Sequence, residues 1–578
     1  MLLVLFYDSC HNFILLIRFL FLLIYFVLKG KPMTTFLAVL PILWLIVALA
    51  ILKMPAWKAT TIAAIGSFII AVVPGLPFVK DPTIILSGAL EGVALAVWPI
   101  CLVITAAIFV YNLVVKTGAM ETIKAMLSSV TEDKRILAIL LAWGFGHFME
   151  GMAGFGTAVA IPAAMMVAVG FNPLKSIIAC LVANSVPTTF GSIGIPTTTL
   201  ATLTGIDPIA LGTYISTQLF LLNVLAPFFV VTILFNGVKA IKGVFLPTLL
   251  AGLSLAIPEL FINLFVGPEL SVIGSSVVIM ALIVATAKIF DPKDPAYRVE
   301  GQAAPKVSFN EGLKAASPFI LIFVLLILAS NLFAPFNSVL TNIKTSVPIY
   351  MGEGAKPYTF VWITTPGILI FIAGLIGGLI QKASVGSIFK TAGSTFANLK
   401  FTYLTIITIV MTAKIMTYSG MTNEIATAIV GATGNMYPAF APLIGALGAF
   451  LTGSGTNSNV LFGPLQAAAA GQLNFGDRDL SLWLAAINSG AAGIGKMMAP
   501  QSIAIAIGAV IPAFDEYNKK HGVNDETAKN LDKHINPSNI MKYVFPYFVI
   551  FLIIDGAISY LGHDFITYID AVLRLMGK

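Results

Sequence analysis

Long apolar runs constrain this chain more than any other feature. Residues 36–52, 95–115, 210–235, 319–332, 358–380 and 543–558 pass with almost no charge. Many of these runs are near the ~20 residues that a helix needs to cross ~30 Å of hydrocarbon. Of the 578 residues, 58% are hydrophobic and 10% charged, where water-soluble domains average roughly 45–50% and 25%. Too few polar side chains remain to coat a surface facing water, so lipid must act as the solvent. The runs are continuous rather than alternating, which excludes an outer-membrane barrel. The predicted fold is an all-α polytopic membrane protein, with about 12–13 transmembrane helices plus broken segments.

Several other classes fall away on composition. Cys10, Cys101 and Cys180 are scattered, as are the five histidines, so neither a disulfide framework nor a metal or other cofactor is expected. The net charge of +7 lies in short segments between apolar runs, where it sets membrane orientation, and no nucleic-acid partner is expected. The longest hydrophilic stretches, 291–314 and 515–542, are too short for a soluble domain. Residues 1–32 hold an apolar run at 13–28 broken by Arg18, without the basic start or small-residue cleavage site of a secretory signal. They are expected to be an extension in front of a start at Met33. The alternative, an additional helix, would leave Lys29 and Lys31 outside.

The chain contains an internal duplication. In FMEGMAGFGTAVAIP (148–162) and FLTGSGTNSNVLFGP (450–464), Phe, Gly and Pro recur at the same offsets, 302 residues apart. Downstream, Asn184-Ser185 matches Asn488-Ser489, Gly191 matches Gly495 and Pro196 matches Pro500, at a shift of 304. Lysine and arginine cluster at 53–58, 116–135, 239–242, 288–314, 382–400 and 519–542. The turns near 74–83, 205–208, 335–341 and 420–437 carry few or none. The positive-inside rule then has the first motif approached from the cytoplasm and the second from outside. The expected organisation is two inverted-topology repeats: 33–290 with a broken, re-entrant hairpin around 144–204, a cytoplasmic linker at 291–313, and 314–578 with a hairpin around 446–512. Inverted repeats with broken helices are the architecture of secondary transporters, which bind substrate where the repeats meet.

Irregular backbone at membrane depth survives only against protein or a water-filled cavity. The candidate substrate-binding residues therefore come from the two motifs and their downstream matches: Gly151, Gly154, Gly156, Asn184, Ser185, Ser454, Thr456, Asn457, Ser458, Asn459, Asn488 and Lys496. Glycines allow close approach, half-helix N–H groups favour an anion, and the Ser, Thr and Asn side chains supply donors and acceptors. Glycine and small hydroxyls would serve tight helix packing equally. Glu150, a carboxylate in a glycine-flanked apolar segment, is the candidate proton carrier, unless a lysine or backbone group ties it down permanently. His147 is a second candidate, with a hydrogen-bonded structural histidine as the plainer reading. Lys496 can attract a carboxylate substrate or neutralise an acid such as Glu150. Glu91 and Lys414 are expected to find partners across helices or to lie at the membrane interface, and Lys175 to sit in a turn.

With these residues in hand, the chain resembles the lactate permease family. The likeness rests on GHFMEGMAGFGTAVAIP (146–162), FGSIGIP (190–196), FLTGSGTNSN (450–459) and GKMMAPQSIAIA (495–506), with WPICLVITAAIFVYNLVVKTG (98–118) of the same type. It extends from about Met33 to the C-terminal helix. The resemblance implies a proton-driven symporter of L-lactate, with glycolate or related 2-hydroxymonocarboxylates, in the inner or plasma membrane of a microbe. It also implies re-entrant hairpins that move against a scaffold. Where related sequences read GSDTSSN, this chain has Gly455 in place of the Asp, which leaves Glu150 as the acid for coupling. Sodium coupling, another organic anion, or cation/proton exchange on the same scaffold are the alternatives, and a homo-oligomer is possible. An enzyme would need metal ligands, a nucleophile-base pair or a cofactor fingerprint, and a channel has little use for inversion about a carboxylate.

Overall fold

The structure, a computed structural model, describes residues 32–577 apart from 155, 290–291, 293, 299–306, 477 and 522–534. The expected extension at 1–32 and much of the linker at 291–313 thus lie outside the described residues. The chain is a polytopic helical membrane protein. Among the described residues, six helices are long and apolar enough to cross a bilayer singly: Met33–Ile51, Pro82–Lys116, Pro208–Leu234, Phe245–Phe265, Lys400–Ser419 and Pro537–Leu575. Three bent helix pairs, each a broken span or a re-entrant loop, and four shorter apolar helices accompany them among the described residues. The broken segments expected beside the transmembrane helices are thus present. A small antiparallel ribbon, Lys344–Val347 (β1) with Tyr358–Val361 (β2), is added to the helical frame.

The first motif folds as a helical hairpin, Gly146–Met152 (α1) and Thr157–Ala168 (α2). Gly154 and Gly156 turn the chain between its arms with φ of +59° and +84°, a region that side chains with a Cβ avoid. Next come Pro173–Asn184 (α3) and Gly191–Thr204 (α4), bent by 61°. Pro208–Leu234 (α5), Phe245–Phe265 (α6) and Ser271–Ile289 (α7) follow. The second motif forms the hairpin Tyr437–Thr452 (α8) and Gly455–Ala470 (α9), turned at Gly453 with φ of +68°. The Ser458 hydroxyl donates to the Gly445 carbonyl across it (2.6 Å). Ser481–Lys496 (α10) and Pro500–His521 (α11) are bent by 44°, and Pro537–Leu561 (α12) closes the bundle.

Helix α5 measures the depth of everything else. Its 27 residues span about 40 Å at 1.5 Å per residue. Near its C-terminal end, Phe171, just ahead of α3, meets Phe235 (centroids 6.2 Å apart). Arg135, ahead of α1, donates to the Ala240 and Lys242 carbonyls at the same end and is paired with Asp133 at 2.7 Å. Near its N-terminal end, Gln218 donates to the Trp483 carbonyl on α10 (2.9 Å), and Tyr214 meets the Trp483 ring. Trp483 in turn donates to Ser559 on α12 (2.9 Å), one turn beyond Gly556, which abuts Ala439 at the start of α8. The two hairpins therefore enter from opposite faces, as the sequence predicts.

The arms then exchange partners. Helix α2 runs beside α11, with Gly156 at Ile505 and Gly170 at Tyr517, while α9 runs beside α4, with Gly455 at Thr188 and Gly463 at Leu200. Each outgoing arm packs on the bent pair of the other repeat, so both tips lie against the bends near the centre.

Candidate functional site

Glu150 comes from the last turns of α1 and Lys496 from the end of α10, both almost fully buried. Their side chains meet, with Lys496 Nζ 2.6 Å from Glu150 Oε1. With the Asn184 amide oriented to match its neighbours, Nδ2 donates to Glu150 Oε2 (3.0 Å) and Oδ1 accepts from Lys496 Nζ (3.3 Å). The acid, the base and an amide that touches both thus form one closed triad, from α1, α3 and α10. Lys496 lies in the last turn of α10, where the helix dipole favours a cation. Gly191 makes room for the acid: a Cβ there would lie 2.6 Å from Glu150 Oε1. Of the two sequence readings of Lys496, the structure has the ammonium on Glu150.

The bend of α4 supports the first tip. Ser192, Ile193 and Gly194 have φ of 46°, 59° and 71°. A left-handed conformation costs about 1–2 kcal/mol per residue with a Cβ, and β-branched Ile193 is an outlier even so. The Ser192 hydroxyl donates to the Ala153 carbonyl in the tip (3.1 Å), and Gly194 sits within van der Waals reach of Pro268. Strain of this kind clusters at functional sites.

A second polar network ties the repeats together. Asn459 donates to the Pro196 carbonyl (2.9 Å) and to the Ser489 hydroxyl (2.8 Å), and Ser489 shares a hydrogen with Thr189 (2.5 Å). Asn488 donates to Asn459 Oδ1 (3.0 Å), Gln466 donates to Asn488 Oδ1 (3.4 Å), and Tyr437 donates to Gln466 (2.7 Å). Thr189, Gln466 and Tyr437 escaped the sequence reading, because no glycine motif marks them.

The other candidates separate by position. Gly151 packs on Val272 and Ile273 of α7, Gly154 on Ser192 and Gly156 on Ile505. The Ser185 hydroxyl is spent on the Val182 carbonyl, and its own carbonyl abuts Gly493. Ser454 caps α9 through the Asn457 N–H (3.3 Å), while Thr456 is half-buried and Asn457 buried. Ser458, Asn459 and Asn488 have their hydrogen bonds inside the protein, which makes them packing and locking groups in this conformation. His147 is fully buried against Trp143 (centroids 4.1 Å apart), and no hydrogen bond joins it to the triad among the described residues. Glu91 and Lys414 do find each other (3.4 Å), with Tyr418 donating to the acid. Glu91 and Tyr418 line a cavity of about 580 Å³ beside Thr202–Gly205 and the ribbon, on the face opposite Arg135. Lys175 follows the Asn172 cap of α3.

A family profile described as L-lactate permease matches residues 34–516. An L-lactate permease of Streptococcus iniae is 45% identical over 452 residues, covering 78% of this chain and 93% of that one. A glycolate permease of Escherichia coli is 34% identical over 522 residues, covering 84% and 91%. A crystal structure of a transporter from Alcanivorax borkumensis, described as having an unusual topology, superposes with a TM-score of 0.32 at 12% identity over 77% of this chain and 87% of that one, too distant to inform the site. On the match across most of its length, this chain belongs to the L-lactate permease family.

Proposed function

We propose that the chain imports L-lactate, and glycolate or related 2-hydroxymonocarboxylates, across the cytoplasmic membrane with a proton. The observation that carries this reading is the buried Glu150–Lys496–Asn184 triad beside the first hairpin tip. A buried ammonium needs one carboxylate at a time. In the empty carrier Glu150 fills that place. When Glu150 takes a proton, the substrate carboxylate replaces it on Lys496, and Asn184 follows the exchange by offering donor and acceptor to whichever partners are present. The buried charge is the same before and after, so proton and anion move together.

Charge conservation also suits the energetics. A monocarboxylate alone entering a negative interior costs ~2.3 kcal/mol per 100 mV. A proton carried with it cancels that charge, and each unit of inward pH gradient contributes ~1.4 kcal/mol. Residues 33–290 and 314–578 are the two repeats in this reading, the hairpins with their bent pairs form the moving body, and the cavity at Glu91 is the outer vestibule. Uptake of labelled L-lactate into proteoliposomes, with proton and sodium gradients imposed separately, tests the proposal. A proton gradient alone should drive accumulation. Full accumulation under sodium alone, with no proton gradient, overturns it.

A further inference from the structure

The helix Val385–Asn398 takes no part in the triad or the hairpins. It joins Pro366–Ile380 to Lys400–Ser419, and both of its ends sit at one face of the membrane. At its start, Thr117, just past Lys116, donates to the Gln381 amide oxygen (2.7 Å). At its end begins Lys400–Ser419, whose far end lies across the bilayer, where Tyr418 donates to Glu91 in the first third of Pro82–Lys116. The helix therefore runs along the face that holds Lys116. This is also the Arg135 face, because the chain between Lys116 and Asp133 contains one helix of 10 residues, Ala119–Ser128, too short to cross.

At 100° per residue the surface of Val385–Asn398 divides into three sectors. Ile388, Thr391 and Thr395 are buried on one side, where Asn112 donates to Thr395 (2.9 Å) and Lys116 to Thr391 (3.0 Å). Val385, Phe389 and Phe396 form a stripe about 100° further round. This stripe is bare, with the two rings 63% and 64% exposed. Lys390, Ser394 and Asn398 are exposed on the side away from the rings. In hydrocarbon the third sector would lack polar partners, and in water the second would stay uncovered. Both are met at the boundary between head groups and acyl chains.

Charge at this boundary has one sign. No aspartate or glutamate occurs between Glu353 and Glu424, or between Met33 and Asp81. Packing joins these two segments: Trp57 stacks on Phe401 (centroids 5.2 Å apart), with Lys58 over the Trp57 ring (5.3 Å) and Lys400 over the Phe401 ring (5.1 Å). Lys58, Lys390 and Lys400 are exposed and form no ion pair among the described residues. Elsewhere on the same face cations are answered by the protein itself, Lys124 by Glu121 (2.8 Å) and Arg298 by Glu132 (3.6 Å).

We infer that Val385–Asn398 and the Trp57–Phe401 pair form a docking surface for anionic phospholipid, with acyl chains on Phe389 and Phe396 and head groups on Lys58, Lys390 and Lys400. A zwitterionic lipid would cover the rings equally well, but it brings its own cation to the lysines. Anionic lipid is the occupant that matches both the apolar stripe and the uncompensated charge.

The test is native mass spectrometry of the purified full chain released from mild detergent, with phosphatidylglycerol and phosphatidylcholine of the same acyl chains offered in equal amounts. Phosphatidylglycerol should be retained at least about tenfold over phosphatidylcholine, and the preference should fall as ionic strength rises. A lysine near an anionic surface strengthens attraction by about fivefold. Lys58→Gln, Lys390→Gln and Lys400→Gln together should therefore bring the preference close to parity, whereas Lys124→Gln should leave it unchanged. Phe389→Ser with Phe396→Ser should lower retention of both lipids. Equal retention of the two lipids by the unmodified protein overturns the inference whether or not any variant folds. A preference that survives in a well-folded triple variant also overturns it, as does one that inorganic phosphate abolishes at matched ionic strength, which would mark a site for a soluble anion.

Discussion

Replacing Glu150 by Gln gives the most informative perturbation of the triad. The ammonium of Lys496 lies 2.6 Å from Glu150 Oε1, and both groups are buried. Removing one partner of a buried pair typically costs about 3–5 kcal/mol, because the other charge is left uncompensated. In Glu150→Gln the empty carrier bears that cost, and a bound lactate relieves it. The ceiling on the gain in affinity is then roughly a hundredfold to several thousandfold. Water reaching Lys496 in an open carrier reduces this, so an increase of at least about tenfold is expected. The assay is binding of labelled L-lactate to purified protein across a range of pH, with counterflow measured in proteoliposomes. Affinity should rise and lose its dependence on pH, exchange should persist in part, and accumulation driven by a proton gradient should vanish. Lactate affinity in Glu150→Gln that matches the unmodified protein, with the same dependence on pH, would refute the exchange of partners.

Three further outcomes follow from the same geometry. Lys496→Ala should abolish measurable lactate binding at normal expression, and combining it with Glu150→Gln should recover part of the thermal stability that Lys496→Ala loses, as read by unfolding in detergent. Gly191→Ala places a Cβ 2.6 Å from Glu150 Oε1 and should suppress gradient-driven uptake more than it lowers the yield of folded protein. Gly493→Ala places a Cβ 1.8 Å from the Ser185 carbonyl, where neither backbone can give way, and should remove folded protein from the size-exclusion profile.

Much of this arrangement was legible in the sequence, because backbone requirements leave a composition. Gly154, Gly156 and Gly453 take the positive φ that the two hairpin tips need, whereas the matched Gly151 is helical and the matched Pro162 and Pro464 lie inside the outgoing arms. Glu150 and Lys496 stand out as charges in apolar segments, although neither shows that the other is its partner, since 346 residues separate them. Asn184 was flagged through its match to Asn488, yet the two do different work: one touches the ion pair, and the other locks Asn459. The left-handed Ile193 was not legible, because isoleucine gives no sign of such a backbone. Gly455 abuts Thr188, with 2.9 Å from a Cβ at Gly455 to Thr188 Cγ2. A side chain at this position would have to push the Thr188 methyl aside.

The central claim is that a substrate carboxylate takes over Lys496 only as Glu150 takes a proton. Calorimetric titration of L-lactate into the purified protein, repeated in buffers of different ionisation enthalpy, counts that proton directly. At a pH where the empty carrier holds Glu150 ionised, one proton should be taken up per lactate bound, and none in Glu150→Gln. Lactate binding with no proton uptake in the unmodified protein would contradict the account.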